Sequence, residues 1–163
     1  MPDPPLVITT ANTNDLVTVS WDDPIANGYV IHAYRFYVLE HDGVTYTEET
    51  ADCDGTDADI VTNRVCTIAL LTLRSAPFNL EQGESVQVKI VSVNTYGESA
   101  ISEPGSGAVI QLVPESPINL QNVIYVLNDA QTTTDTSIRF TLDDGSNNGG
   151  AIVIDYDVYY DQG

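Results

Sequence analysis

Between Val86 and Ser99 apolar and polar positions alternate, with Val86, Val88 and Ile90 at every second place and Gln87, Lys89 and Val91 between them. Successive strand side chains point to opposite faces, so this spacing predicts a strand with one face in an apolar core. Asn94-Thr95-Tyr96-Gly97 follows as turn chemistry and Ile101 restarts the chain, which makes a hairpin. The same period recurs upstream. Leu6 to Thr10 reads as an edge strand, Ala11 to Asp15 as a polar turn, and Leu16 to Trp21 as a second strand with Val17, Val19 and Trp21 on one face. Ile31, Tyr34, Phe36 and Val38 mark a third strand, Val44 to Glu49 a short polar one, and Cys66 to Leu70 another. Leu73 to Gly83 connects these to the alternating stretch. Ser99 to Gln111 is the last strand of the series, and Pro104-Gly105-Ser106-Gly107 forces it to bulge or leave the sheet. No segment carries a helical period, so the expected fold class is all-β.

Leu112-Val113-Pro114-Glu115-Ser116-Pro117 reads as a link between two domains, 1–113 and 114–163. Beyond it the pattern begins again. Ile118 to Val126 offers a first strand and Ser137 to Leu142 a second, with Phe140 in the place of Trp21 and Asp143-Asp144 in the place of Asp22-Asp23. Gly149-Gly150 stands near the place of Gly28, and Tyr156-x-Val158-x-Tyr160 repeats Tyr34-x-Phe36-x-Val38. The expected core is therefore Trp21, Tyr34, Phe36, Val88 and Ile90 in the first copy, and Phe140 and Tyr156 in the second. About three strands of the second copy are present, too few to be stable alone. Either the segment belongs to a longer array, or the missing strands come from another chain by strand complementation.

The run Val86-x-Val88-x-Ile90-x-Ser92-x-Asn94-x-x-Gly97-x-Ser99, together with Trp21, the Tyr34/Phe36/Val38 strand and Leu73, resembles the fibronectin type III family over essentially the whole chain. The resemblance implies an immunoglobulin-like fibronectin type III β-sandwich, one complete domain followed by a partial second. The chain departs from the family at Val86, where a buried Tyr usually begins the penultimate strand, and in an insertion at 51–66 bounded by the only two cysteines. That insertion, with Ala76-Pro77-Phe78 and Gln82-Gly83, is similar to fibronectin-like repeats of very large cell-surface proteins of ciliated protists.

Charge narrows the function classes. Five Lys and Arg stand against 24 Asp and Glu, a formal net charge of -19, which repels nucleic acid and anionic membrane surfaces and leaves cations and water as natural partners. No apolar run approaches the roughly 20 residues that span a bilayer. Pro2-Asp3-Pro4-Pro5 lacks the features of a secretory signal, so for a secreted protein this chain reads as a fragment or processed form. Cys53 and Cys66 fit a disulfide in an oxidising compartment, which would stabilise by about 3 kcal/mol through loop closure; two buried thiols are the alternative. With only His32 and His41 to help them, they make a poor zinc site.

The one cofactor expected is calcium. Asp52, Asp54, Asp57 and Asp59 surround Gly55 at alternating positions, a spacing that can wrap oxygen ligands around the ion, although it fails the EF-hand pattern. Asp143, Asp144 and Glu115 form a second candidate set at the domain junction. Solvated acidic loops are the plainer reading of both. No catalytic residues are expected, because neither histidine lies in a hydrolytic motif and the paired carboxylates lack an apolar pocket. The expected role is a structural or adhesive spacer of a multi-repeat extracellular or cell-surface protein, joined end to end with neighbouring repeats or identical chains in a surface filament. The alternatives are a glycan- or receptor-binding module using Tyr29, Tyr46 and Tyr96, and an accessory domain of a secreted hydrolase.

Overall fold

A computed structural model describes residues 1–123, 133–134 and 136–160. It divides into two compact units, Met1–Ile110 and Gln111–Gly163. In the first, β1 (Thr9–Thr13), β2 (Leu16–Ser20) and β5 (Val65–Ala69) form one antiparallel sheet in the order β1-β2-β5. The second sheet runs β4 (Tyr46–Glu49), β3 (Ile31–Leu39), β6 (Val88–Asn94) and β7 (Gly97–Glu98). Two helical turns, α1 (Ala58–Asn63) and α2 (Leu70–Arg74), lie between strands.

The alternating residues fill the space between the sheets. Val17, Val19, Phe36, Val38, Ile68, Val86, Val88 and Ile90 are fully buried, and Trp21 is 5% exposed. The indole meets Tyr34 and Phe36 edge-on, with ring centroids 5.0 and 5.2 Å away. Such a ring buries roughly 150–250 Å², so Trp21 contributes about 5 kcal/mol by transfer from water.

Several boundaries move for local reasons. β1 begins at Thr9 rather than Leu6, because Val7 sits at φ 50 and breaks the extended run. The turn after it shrinks to Asn14-Asp15: Thr13 pairs with Leu16, and Asn14 takes the positive φ of 54 that a two-residue hairpin demands. The helical turns correct the reading of the insertion and of the loop from Leu73. Each is five or six residues long, too short for a 3.6-residue period to show.

The stretch from Ser99 to Gln111 is not a continuous strand. After β7 it touches the sheets at single bridges, Gly105 with Val88, Ser106 with Thr9 and Val109 with Ser85. Pro104 withholds one amide, and the glycines allow close passage: a Cβ on Gly105 would run into the carbonyl of Ile8, and one on Gly107 into that of Thr10. The segment stays bonded to the chain leading into β6, with the Val86 amide on the Ala108 carbonyl and the Ile110 amide on the Glu84 carbonyl, each at 2.9 Å. The Thr10 amide of β1 reaches the segment's Ser106 carbonyl at 3.4 Å.

In the second unit β8 (Ile118–Asn122) pairs antiparallel with β9 (Phe140–Asp143). The expected first strand ran to Val126, and Ile124 to Val126 lie outside the described residues. Phe140 is half-buried, and Tyr156, expected in the core, is 37% exposed with its hydroxyl on Asp144. The reason is the small sheet: among the described residues two strands carry this unit, and no second sheet faces them. Counted from the aspartate pairs, Leu142 rather than Phe140 holds the place of Trp21, and Phe140 that of Val19.

Candidate functional site

The insertion after β4 is where this sandwich carries its most specific chemistry. β4 ends at Glu49, which faces Phe36 across the ladder and is 2% exposed. A carboxylate buried so deeply needs donors. Glu49 Oε1 accepts the backbone N–H of Ala51 (2.7 Å) and of Asp52 (2.9 Å), and Oε2 accepts that of Cys53 (2.9 Å). The chain is turned back on itself at this point, and each following group fastens it again. Asp52 Oδ2 accepts from the Ala69 amide at 3.0 Å, and Cys53 is disulfide-bonded to Cys66 of β5 with Cα atoms 5.8 Å apart. Gly55 lies so close to β3 that its carbonyl takes the Tyr34 amide at 2.9 Å, and a Cβ there would collide with the Tyr34 carbonyl oxygen.

Most of the carboxylates expected to bind calcium hold hydrogen bonds within this architecture. Asp54 accepts the amide and hydroxyl of Thr56 at 2.9 and 2.7 Å, and these bonds hold its carboxyl below the usual range. Asp57 caps α1, accepting from the Asp59 amide at 2.7 Å. Asp59 follows in the first turn of that helix. In the second unit Glu115 accepts from Ser146, Asp143 from the Asn119 side-chain amide at 2.9 Å, and Asp144 from Tyr156. Among the described residues no group of three His, Cys, Asp or Glu side chains gathers to hold a metal ion. In the first set, alternation in sequence places oxygens of Asp52, Asp54 and Asp57 on successive turn and cap bonds.

The insertion seals one flank of the sandwich, because its Gly55 continues the β3 ladder beyond β4 while the disulfide ties it to β5, the free edge of the other sheet. The opposite flank is closed by side chains of β1. Thr10 Oγ1 donates to the Val86 carbonyl (3.0 Å) and accepts from the Ala108 amide (2.8 Å). The Asn12 amide group pairs with both backbone groups of Val109, at 2.9 and 3.0 Å. Sequence reading missed Glu49, Thr10 and Asn12. The signal for Glu49 was its place on the inward face of an alternating strand directly before a turn.

Arg35 forks onto Glu48 at 2.7 and 2.8 Å and reaches Glu98 at 2.9 Å on the outer face of the four-stranded sheet. The guanidinium holds the Glu48 carboxyl below its ordinary pKa. Of the three tyrosines named above, Tyr46 has Lys89 4.1 Å over its ring. Tyr29 and Tyr96 stand together, 48% and 68% exposed, with ring centroids 5.0 Å apart. No helix among the described residues is long and apolar enough to cross a membrane.

Strand order β1-β2-β5 against β4-β3-β6-β7 is that of an immunoglobulin-like β-sandwich of the fibronectin type III class. Neither a protein-family model nor a curated protein matches the chain. Among solved structures, titin domains A168-A170 are 20% identical at a TM-score of 0.49, covering 67% of this chain and 32% of theirs. The chicken CNTN1 FN1-FN3 domains are 16% identical at 0.49, covering 91% and 44%. The twitchin kinase region from C. elegans is 22% identical at 0.46, covering 63% and 15%. The chain thus spans less than a third of the titin and twitchin structures, and its fold stands on its own strand order and register.

Proposed function

We propose that this chain is a connecting segment of a multi-repeat extracellular protein, a structural and adhesive spacer that works by holding its neighbours at a set distance. The supporting observation is that both units open alike. Pro2-Asp3-x-Pro5-Leu6 recurs as Pro114-Glu115-x-Pro117-Ile118. In the first unit the Asp3 amide bonds to the Ile25 carbonyl at 2.9 Å, and in the second the Glu115 amide bonds to that of Asn147 at 2.8 Å. A repeat whose lead-in docks on its own loop after the second strand is a unit made for stringing in series. The disulfide fits an oxidising compartment, which supports the extracellular location. A surface filament built from such copies is the finer form of the proposal. Electron microscopy of the native material tests it. Threads of beads joined end to end are expected, and dispersed single particles would overturn it.

The exposed Tyr29–Tyr96 pair favours a second reading, in which this pole stacks on a sugar ring. Glycan-array binding lost on Tyr96→Ala would support it, and an array without signal would remove it.

A further inference from the structure

Each unit carries an Asn-Gly dipeptide at the same place, four residues past the second aspartate of its pair: Asn27-Gly28 after Asp23, and Asn148-Gly149 after Asp144. Asn27 and Gly28 turn at positive φ, 52 and 95, and the turn is closed by the Tyr29 amide on the Ala26 carbonyl at 3.5 Å, a long and weak bond. Asn27 Nδ2 ties the lead-in to this turn, donating to the Met1 carbonyl at 3.1 Å and to Asp3 Oδ1 at 2.9 Å.

Asn-Gly is also a reactive pair. Glycine has no Cβ, so its nitrogen can reach the side-chain carbonyl carbon of the asparagine before it. Among the described residues the Gly28 nitrogen has no acceptor, and a Cβ on Gly28 would meet nothing within 4 Å. The second unit restrains the same pair within its own loop: the Gly149 N–H donates to Asn147 Oδ1 at 2.8 Å, and the Gly150 N–H holds Asn148 Oδ1 at 3.0 Å. Ala26 stands in the place of Asn147 and offers no such oxygen. In the first unit the restraint is therefore the lead-in, through its two bonds to Nδ2 and the carboxylate of Asp3 beside them.

We propose that Asn27-Gly28 is a self-modifying site guarded by the lead-in. When Met1 and Asp3 leave Nδ2, the Gly28 nitrogen gives its proton to solvent and bonds to Asn27 Cγ. The Cγ–Nδ2 bond breaks, Nδ2 takes up a proton and departs as ammonia, and water opens the resulting cyclic imide to aspartate or isoaspartate. Water is the one co-reactant, and nothing is oxidised or reduced. The new carboxylate supplies only acceptors where Nδ2 donated, against the Met1 carbonyl and the Asp3 carboxylate, so the lead-in is held off the turn from then on. The modification needs the docked lead-in alone, and stands or falls apart from the connecting role.

Peptide mapping by mass spectrometry of the full chain, aged in mildly alkaline buffer, tests the proposal, with Asn148 as the reference inside the same molecule. Asp3→Ala is expected to speed conversion at Asn27 about fivefold, as the loss of one restraining hydrogen bond would, and to leave the rate at Asn148 unchanged. Asn27→Asp supplies the product directly. It is expected to speed hydrogen exchange of the Asp3 amide, which bonds to the Ile25 carbonyl, about fivefold or more, while the amides of β2 keep their protection. Equal rates at Asn27 in wild type and Asp3→Ala, or acceleration of both asparagines alike, would overturn the proposal. So would an Asp3 amide indifferent to Asn27→Asp, or a loss of protection that extends to β2.

Discussion

Glu49→Gln replaces one carboxylate oxygen by an amide nitrogen while leaving the volume of the side chain unchanged. The best placement keeps the carbonyl on the Ala51 and Asp52 amides and turns the new NH2 toward the Cys53 N–H, donor against donor. One hydrogen bond to a charged acceptor is lost, at about 1.5–3 kcal/mol, and the two that remain lose their charge assistance, so the expected loss is about 3 kcal/mol. For a unit of this size that lowers the melting temperature by roughly 12 °C. Urea unfolding followed by tryptophan fluorescence reads the effect where it belongs, because Trp21 is the chain's only tryptophan and lies in the first unit's core. Glu49 and the disulfide hold the same turn. Adding Cys53→Ser and Cys66→Ser should therefore lower stability by about 1 kcal/mol less than the separate effects combined. A Glu49→Gln loss below about 0.5 kcal/mol would refute the claim that three buried amides depend on this carboxylate.

Removing the disulfide alone by the same two substitutions should cost about 3 kcal/mol, from the loop spanned by its sequence separation of 13, read by the same fluorescence assay. Trp21→Ala should cost about 3–5 kcal/mol, measured by near-ultraviolet circular dichroism of the tyrosines, since it leaves Tyr34 and Phe36 facing a void. Glu48→Gln should cost no more than about 1 kcal/mol, the pair being about a third exposed. Because the folded Glu48 pKa lies below its ordinary 4.5, that contribution is fully present above pH 4.5 and disappears as pH falls through the folded value. Wild type and variant should thus converge in acid. His41 donates its Nδ1 proton to the Glu84 carboxylate, which raises its pKa above 6.5, and NMR titration of Glu84→Gln should bring the midpoint back down.

Much of the fold was legible because alternation is a local signal. Val17, Val19, Phe36, Val38, Val88 and Ile90 are buried on the faces their spacing assigns. The last segment was harder, since its path depends on a carbonyl of Ile8 that is far away in sequence. The acidic loop was ambiguous for a related reason. Aspartates around a glycine suit either a cation or a succession of turn and cap bonds, and the choice depends on where the backbone amides of Thr56, Asp59 and Ala69 point. Glu49 was hidden among 24 acids, distinguishable only by the strand face it occupies.

The central claim is that the first unit is a sandwich sealed on both flanks and able to transmit load between its neighbours. Single-molecule stretching of the chain tests it most directly. Of 110 residues in the unit, the bridge withholds 13, so the 97 that extend should reach roughly 340 Å at about 3.5 Å each, and one discrete event should release that length less the span of the folded unit. Reductant should lengthen that step by roughly 45 Å. Gradual peeling without a discrete event, or a step length indifferent to reductant, would contradict the account.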